Sequence, residues 1–218
     1  MKKEHQVFSI AEENPVVPGC TISGQLMRGV TVFSLADGTD ISAESYPIPI
    51  LQVQLSGSSV LNMGASAGTA VKLSAGEIAR KPAGKDIGVA AKENSVYLEI
   101  ALEKEESIMN PVIKEGNVFK LKDLIPYQDG KIVNMDLVNQ PSMKFVVMAF
   151  DAGTGLSEHS APGDAIVFAL DGKAVIGYEG KEYPISAGEQ FRFAKGGLHS
   201  VKADGKFKMA LLLVLEGE

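Results

Sequence analysis

The sequence has one cysteine, no excess of basic residues and no long apolar run, and each shortage excludes a class of protein. Cys20 is the single cysteine among 218 residues, so no disulfide can form within the chain, and we predict that it is a small buried residue. The net charge of −6 argues against nucleic acid or an anionic membrane as a partner. No apolar run approaches the roughly 18 residues of a membrane span. We therefore expect a cytoplasmic protein that binds neither nucleic acid nor membrane.

The chain repeats itself once. Three segments return after 111 to 115 positions: "QVFSI" at 6–10 as "NVFKL" at 117–121, "DGTDISAES" at 37–45 as "AGTGLSEHS" at 152–160, and "LSAGE" at 73–77 as "ISAGE" at 185–189. Shifts that agree so closely over this distance are typical of a duplicated domain. A charged segment with an Asn-Pro pair joins the two copies, so we predict domains of residues 1–111 and 112–218.

Both copies have the pattern of β-strands. Segments such as "AIVFALDG" and "KAVIGYEG" are short apolar and β-branched runs that end in glycine turns. Helical signals are confined to a turn or so, for example "SIAEEN", with Ser9 at its N-cap. Strands at intervals of about 8 to 12 residues indicate an antiparallel sandwich or barrel. We therefore predict an all-β protein with few short helices.

The spacing of glycines and histidines resembles that of the cupins, and in particular of a bicupin. The cupin pattern is G-x5-H-x-H-x3-E-x6-G followed by G-x5-P-x-G-x2-H-x3-N. The C-terminal copy follows this spacing at Gly153, His159, Ala161, Ala165, Gly172, Gly188, Ala194, Gly196, His199 and Ala203. The N-terminal copy follows it at Gly38, Glu44, Tyr46, Ile50, Gly57, Gly76, Pro82, Gly84 and Ile87. The resemblance implies two tandem jelly-roll barrels, each a double-stranded β-helix.

The same resemblance implies where a metal would bind. Cupin metal sites are built from three histidines and a carboxylate that project into the barrel. The C-terminal copy keeps His159 and His199 but has alanine at the other two positions, and the N-terminal copy has no histidine at any of them. We therefore expect the N-terminal barrel to be structural and the C-terminal barrel to carry a reduced site.

Three interpretations of the reduced site stay open at this stage. Asp164 follows a Pro-Gly break, and as a third ligand it would complete a two-histidine, one-carboxylate centre for iron, manganese, nickel or zinc. Alternatively, His159 and His199 hydrogen-bond across the pocket, with Asp164 paired to one of them. The third interpretation has one histidine as a general base without metal, as in cupin-like sugar epimerases. The two histidines are the candidate catalytic residues, and His5 is predicted to be a surface residue.

The strand "EQFRF" would line the same pocket. Phe191 and Phe193 share one face of it, where they either contact a ligand or form core, while Arg192 on the other face either binds an anion or is solvated. The N-terminal copy has a cationic group of Arg80, Lys81 and Lys85, which either binds an anion or, as we predict, forms a solvated rim of the barrel. The last strand, "FKMALLLVL", is apolar on both faces, which predicts that its outer face meets either the other barrel or a second subunit, and we expect a homodimer.

The leading hypothesis is a small-molecule-binding protein whose ligand lies in the C-terminal barrel, either non-catalytic or weakly metal-binding. The ligand-binding residues would be His159, His199, Asp164, Phe191 and Phe193. The alternative is a metal-dependent, dioxygenase-like or isomerase-like enzyme that acts on a small polar or sugar-like substrate through His159, His199 and Asp164. Whether the protein is an enzyme is left open by the sequence.

Overall fold

The computed structural model describes residues 5–63, 70–102 and 109–215 and is built almost entirely from antiparallel strands. Its described residues fall into two compact units. The N-terminal barrel takes its residues from 10–107 and 111–120, and the C-terminal barrel takes its residues from 1–9, 108–110 and 121–218. The predicted all-β class with few short helices is confirmed. No helix in the described ranges is long and apolar enough to cross a membrane.

The N-terminal barrel consists of a short helix and two sheets. The helix α1, Ile10–Glu13, lies where the sequence predicts a helical turn. The strands are β2 Thr21–Met27, β3 Val30–Leu35, β4 Asp40–Ser45, β5 Ile50–Ser56, β6 Ser58–Met63, β7 Ala70–Ser74, β8 Glu77–Lys81, β9 Asp86–Ala91, β10 Ser95–Ala101 and β11 Val118–Lys120. One sheet has the order β11-β8-β5-β10-β3-β2, and the other has the order β4-β9-β6-β7.

The C-terminal barrel has one eight-stranded sheet system. The main order is β1-β17-β15-β18-β13-β12, with β14 on β18 and β16 on β15. Its strands are β1 Val7–Phe8, β12 Ile132–Gln140, β13 Met143–Phe150, β14 Gly155–Ser160, β15 Asp164–Tyr178, β16 Lys181–Ser186, β17 Gln190–Phe193 and β18 Leu198–Val214. A 3₁₀ helix spans Leu121–Asp123. Residues 207–214 of the last strand are all buried or half-buried within the single chain, including Lys208, which is 9% exposed.

A short strand precedes each copy of the repeat, and we call these two strands, Val7–Phe8 and Val118–Lys120, the lead-in strands. Their own sequences do not show which sheet each of them joins. Val7 and Phe8 pair with Phe191 and Gln190 in the C-terminal barrel. Val118–Lys120 pairs with Glu77–Ala79 in the N-terminal barrel. Each lead-in strand therefore extends a sheet built from the other copy of the repeat. The two compact units exchange these segments, whereas the sequence predicts a single division between residues 111 and 112. That division stays a prediction about where the duplicated domains meet in the sequence.

Side chains alternate between the two faces of each strand, and this alternation determines which of them are buried in the core of each barrel. In β15 the side chains of Ala165, Val167 and Ala169 belong to one buried cluster of the C-terminal barrel. In the N-terminal barrel, Ala79 and Tyr97 belong to the corresponding cluster. Cys20 lies on the surface, so the prediction that it is a buried residue is wrong. It precedes the exposed strand β2, where the chain has no core to face.

Candidate functional site

His159 and His199 lie directly opposite each other on two paired strands. His159 is on β14 and His199 is on β18, and the register joins the two residues across the ladder. An irregularity between Leu156 and His159 shifts that register and sets the direction of the His159 side chain. The ring centroids are 4.1 Å apart and the planes are inclined by 51°. The structure therefore brings together the two histidines that the cupin spacing selects.

Backbone carbonyls fix the protonation pattern of both imidazoles. His159 Nδ1 lies 2.8 Å from the carbonyl oxygen of Ser157, and His199 Nδ1 lies 3.1 Å from the carbonyl oxygen of Gly197. Because a carbonyl oxygen only accepts, both Nδ1 atoms must carry the hydrogen. Each neutral ring then keeps its lone pair on Nε2. Neither Nε2 atom forms a hydrogen bond with any residue in the described part of the chain.

The two rings lie in different environments. His159 is exposed, whereas His199 is 6% exposed and stacks on Phe193 with ring centroids 4.0 Å apart. Burial lowers the pKa of His199 below its ordinary value of 6.5, the Gly197 carbonyl partly opposes this shift, and the neighbouring His159 adds to it. His199 is therefore a neutral acceptor at neutral pH.

Aromatic rings fill the barrel behind His199. Phe191 and Phe193 are almost completely buried and belong to the core cluster of the C-terminal barrel. Tyr178 packs against both rings, with centroids 5.6 Å and 5.5 Å away, and its hydroxyl oxygen accepts the backbone N–H of Ala194 at 3.3 Å. The core interpretation of the two phenylalanines thus describes their packing, and their contact with a ligand stays a prediction.

Tyr178 is a residue of this site that sequence reasoning missed. It lies two positions after Ile176 on β15, so strand alternation places it on the buried face of that strand. Its ring occupies the space beside Gly197, where an added Cβ would lie 2.6–3.0 Å from ring atoms and the hydroxyl oxygen of Tyr178. His5, which is exposed as predicted, contacts the same ring, with centroids 5.0 Å apart.

Asp164 has other partners than the histidines. Its Oδ2 accepts from Arg192 Nη2 at 3.1 Å, and its Oδ1 accepts from the backbone N–H of Lys195 at 3.1 Å. The predicted pairing of Asp164 with a histidine is therefore replaced by an ion pair with Arg192, whose side chain is buried rather than solvated.

Among residues 5–63, 70–102 and 109–215, no group of three or more His, Cys, Asp or Glu side chains is arranged to hold a metal ion. Asp164 as a third metal ligand stays a prediction, and the donor set described here does not fit a three-ligand centre.

The equivalent position of the N-terminal barrel carries no imidazole. Glu44 pairs with Ile87 across β4 and β9, as His159 pairs with His199. Next to this ladder, a groove of about 610 Å³ is lined by Pro47, Pro49, Arg80, Pro82, Ala83, Gly84, Lys85 and Glu115. Lys85 forms an ion pair with Glu115 at the surface, as expected of a rim residue. Lys81 is 1% exposed, so its predicted place on a solvated rim is wrong.

Comparison with known proteins shows what the C-terminal barrel is similar to. Residues 146–215 match the family model described as "Cupin domain". A comparison with curated protein sequences finds no match. The chain is similar to the solved structure of the Cupin 2 conserved barrel domain protein from Leptotrichia buccalis, with 26% identity, a TM-score of 0.84 and coverage of 98% of both chains.

A second similarity concerns the fold alone. The salicylate 1,2-dioxygenase from Pseudaminobacter salicylatoxidans shares 11% identity and has a TM-score of 0.62. The alignment covers 85% of this chain and 70% of that one. At this identity the likeness concerns how the strands are arranged and carries no information about a shared reaction.

Proposed function

We propose that the chain is a cupin-family protein, because residues 146–215 match the cupin family model, and that its C-terminal barrel binds a small polar molecule through His159 and His199. The observation that carries this proposal is the pair of Nε2 lone pairs on facing rings 4.1 Å apart. Two neutral imidazoles oriented in this way accept hydrogen bonds from a ligand that offers two donors close together.

The proposed role is binding rather than metal-dependent chemistry. A catalytic metal centre generally needs three protein ligands with open positions beside them. The described residues supply two imidazoles, and the nearest predicted carboxylate, Asp164, is held by Arg192 and Lys195. Weak metal binding by two imidazoles stays within this proposal, whereas an enzyme with Asp164 as third ligand does not.

The histidines themselves report on this proposal, since the chain has only three. In protein labelled with ¹⁵N-histidine, His199 should show a protonated Nδ1 and an unprotonated Nε2 at neutral pH. Addition of small polar compounds from a screening library should shift the two Nε2 resonances together and leave His5 unchanged. His159→Ala and His199→Phe should each abolish the response, and the second variant keeps an aromatic ring on Phe193.

Elemental analysis and zinc titration of the same proteins separate the two interpretations of the site. A stoichiometric transition metal that is lost in both histidine variants and in Asp164→Asn would contradict the proposal and favour the enzyme. Zinc binding weaker than micromolar, or none, agrees with an organic ligand.

We also propose that the protein is a homodimer, which light scattering would test. The apolar residues of β18 are already buried or half-buried in one chain, so their burial does not itself require a second subunit.

A further inference from the structure

The interior of the N-terminal barrel is polar where that of the C-terminal barrel is apolar. The registers show which positions correspond: Gln52 pairs with Ala79 and Glu99, as Val167 pairs with Phe191 and Leu211. By the same registers, Lys81 corresponds to Phe193, and Tyr97 corresponds to Met209. This strand framework therefore accepts apolar residues at all four positions, and the fold itself does not require Gln52, Lys81, Tyr97 and Glu99.

A short hydrogen-bond chain leaves the carbonyl oxygen of the Gln52 side chain without a partner. Gln54 Nε2 donates to the carbonyl oxygen of Ser56 at 2.8 Å, so Gln54 Oε1 is the atom that accepts from Ser59 Oγ at 2.8 Å. Ser59 Oγ in turn accepts from Gln52 Nε2 at 2.9 Å. Gln52 Oε1 is buried and finds no donor among the described residues.

The hydroxyl of Tyr97 is also buried and has no partner in the described part of the chain. Its ring is completely buried and stacks on Phe33, with centroids 5.0 Å apart and planes inclined by 10°. Because a phenolic hydroxyl both donates and accepts, an unbonded one in a barrel interior is costly. Tyr97 pairs with Gln54, and Glu99 pairs with Gln52. Because side chains two positions apart share a face, these four side chains lie on the same face of β5 and β10.

Lys81 and Glu99 form a buried ion pair in the same interior. Their side chains are 2% and 8% exposed, and Lys81 Nζ donates to Glu99 Oε1. Lys81 Nζ also lies 5.7 Å from the centre of the Tyr97 ring. Burial lowers the pKa of Lys81 more than the attraction of Glu99 raises it. An ion pair held in this way is weak evidence for stability and contributes less than apolar packing would.

We propose that the interior of the N-terminal barrel, between Gln52, Tyr97 and the Lys81–Glu99 pair, is a binding site for a small uncharged hydroxylated molecule of the polyol or sugar class. The proposal concerns a different barrel from the histidine site and does not rest on the function proposed for it. It assigns a binding role to the barrel that the sequence predicts to be structural.

The hydrogen-bonding needs of the four residues select this class of ligand. Gln52 Oε1 needs a donor, Lys81 Nζ has further hydrogens to donate, and the Tyr97 hydroxyl can do either. A hydroxyl group satisfies all three. The charges of Lys81 and Glu99 cancel, so an anion would face Glu99 and a cation would face Lys81 without a counterion. An uncharged ligand avoids both penalties.

Tyr46 is a further polar residue of the N-terminal barrel. It is half-buried, and its hydroxyl donates to Oε2 of the exposed Glu44 at 3.2 Å. Burial, with Glu99 and then Glu44 as further causes, raises the pKa of Tyr46, so its hydroxyl stays protonated at neutral pH.

The test compares three probes with the same carbon skeleton and different charge: glycerol, glycerate and 3-amino-1,2-propanediol, with D-glucose as a larger polyol. Binding is followed by NMR on the side-chain amide of Gln52 and the ring of Tyr97 in the full chain. Saturable shifts with glycerol or D-glucose are expected, together with weaker or no response to the charged probes. Tighter binding of either charged probe, or no saturable response to any of the four, would overturn the proposal.

Two variants distinguish a ligand-binding site from a protein core that contains unpaired polar groups but binds no ligand. Tyr97→Phe and Gln52→Leu should each weaken polyol binding about tenfold, as expected for loss of one hydrogen bond in a buried site. Tyr97→Phe should not lower the melting temperature, because it removes a hydroxyl that has no partner within the described chain. Tyr183→Phe in the C-terminal barrel should leave the affinity unchanged. Unaltered affinity in Tyr97→Phe would refute the site.

Discussion

Replacement of the buried ion pair of the N-terminal barrel offers the sharpest test of how that barrel is stabilised. Lys81→Met alone leaves Glu99 buried without its cation, and Glu99→Leu alone leaves Lys81 without its anion. Removing one partner of a buried pair costs about 3–5 kcal/mol of unfolding free energy, because an uncompensated charge stays in the interior. For a domain of this size, such a loss lowers the melting temperature by about 12 °C or more.

The double variant Lys81→Met, Glu99→Leu should behave differently from either single one. It places two apolar side chains in a barrel whose sister copy has Phe193 and Leu211 at these positions. Replacement of a buried ion pair by apolar residues of similar volume is about neutral or stabilises by about 1–4 kcal/mol. The two changes should therefore couple by at least about 6 kcal/mol, since each single variant loses about 3 kcal/mol or more.

Urea denaturation followed by far-UV circular dichroism measures these differences, and amide hydrogen exchange in β8 and β10 assigns them to the N-terminal barrel. Lys85→Met is the matched control, because the Lys85–Glu115 pair is 54% and 44% exposed and a surface pair contributes about 0–1 kcal/mol. If the double variant lost as much stability as the two single variants together, the ion pair would be a structural necessity and the argument for a binding interior would lose its energetic basis.

Two further predictions concern the histidine site. Gly197→Ala should destabilise the chain by about 1–3 kcal/mol, since its new Cβ would lie 2.6–3.0 Å from the Tyr178 side chain; Gly24→Ala, which meets one atom at 4.0 Å, is the control in thermal denaturation. The pKa of His199 is lowered in the folded protein, so its contribution to stability is complete above the ordinary value of 6.5 and is lost as the pH falls below it. The urea midpoint should therefore fall less between about pH 8 and pH 5.5 in His199→Phe than in the wild type, whereas His5→Ala should follow the wild type; equal slopes in all three would show that His199 titrates normally.

The fold and the histidine pair could be predicted because both depend on local spacing. Glycines at fixed intervals mark the turns of the barrel, and alternation along β14 and β18 determines where His159 and His199 lie. Tyr178 was within reach of the same reasoning, as the next buried position on β15 after Ile176. What spacing leaves undetermined is which partner a side chain chooses, and Asp164 illustrates this by pairing with Arg192.

Other features depend on contacts between distant parts of the sequence. The lead-in strand Val7–Phe8 pairs with residues about 180 positions away, and nothing in its own sequence favours that partner over the nearer copy. Lys81 was assigned to a solvated rim because it stands between Arg80 and Pro82 in a cationic segment. Its true position follows from alternation with the buried Ala79, but its burial depends on Glu99, which alternation alone does not predict.

The two barrels have each kept a different part of what a binding site needs. The C-terminal barrel has acceptor nitrogens on His159 and His199, and aromatic side chains fill the space behind them. The N-terminal barrel has no histidine at the motif positions, yet its interior contains polar groups at Gln52, Lys81, Tyr97 and Glu99. None of these four residues stands at a position of the cupin motif. Loss of the metal-binding motif is therefore a poor measure of whether such a barrel binds a ligand, because the side chains that would contact an uncharged molecule lie on strand positions outside the motif.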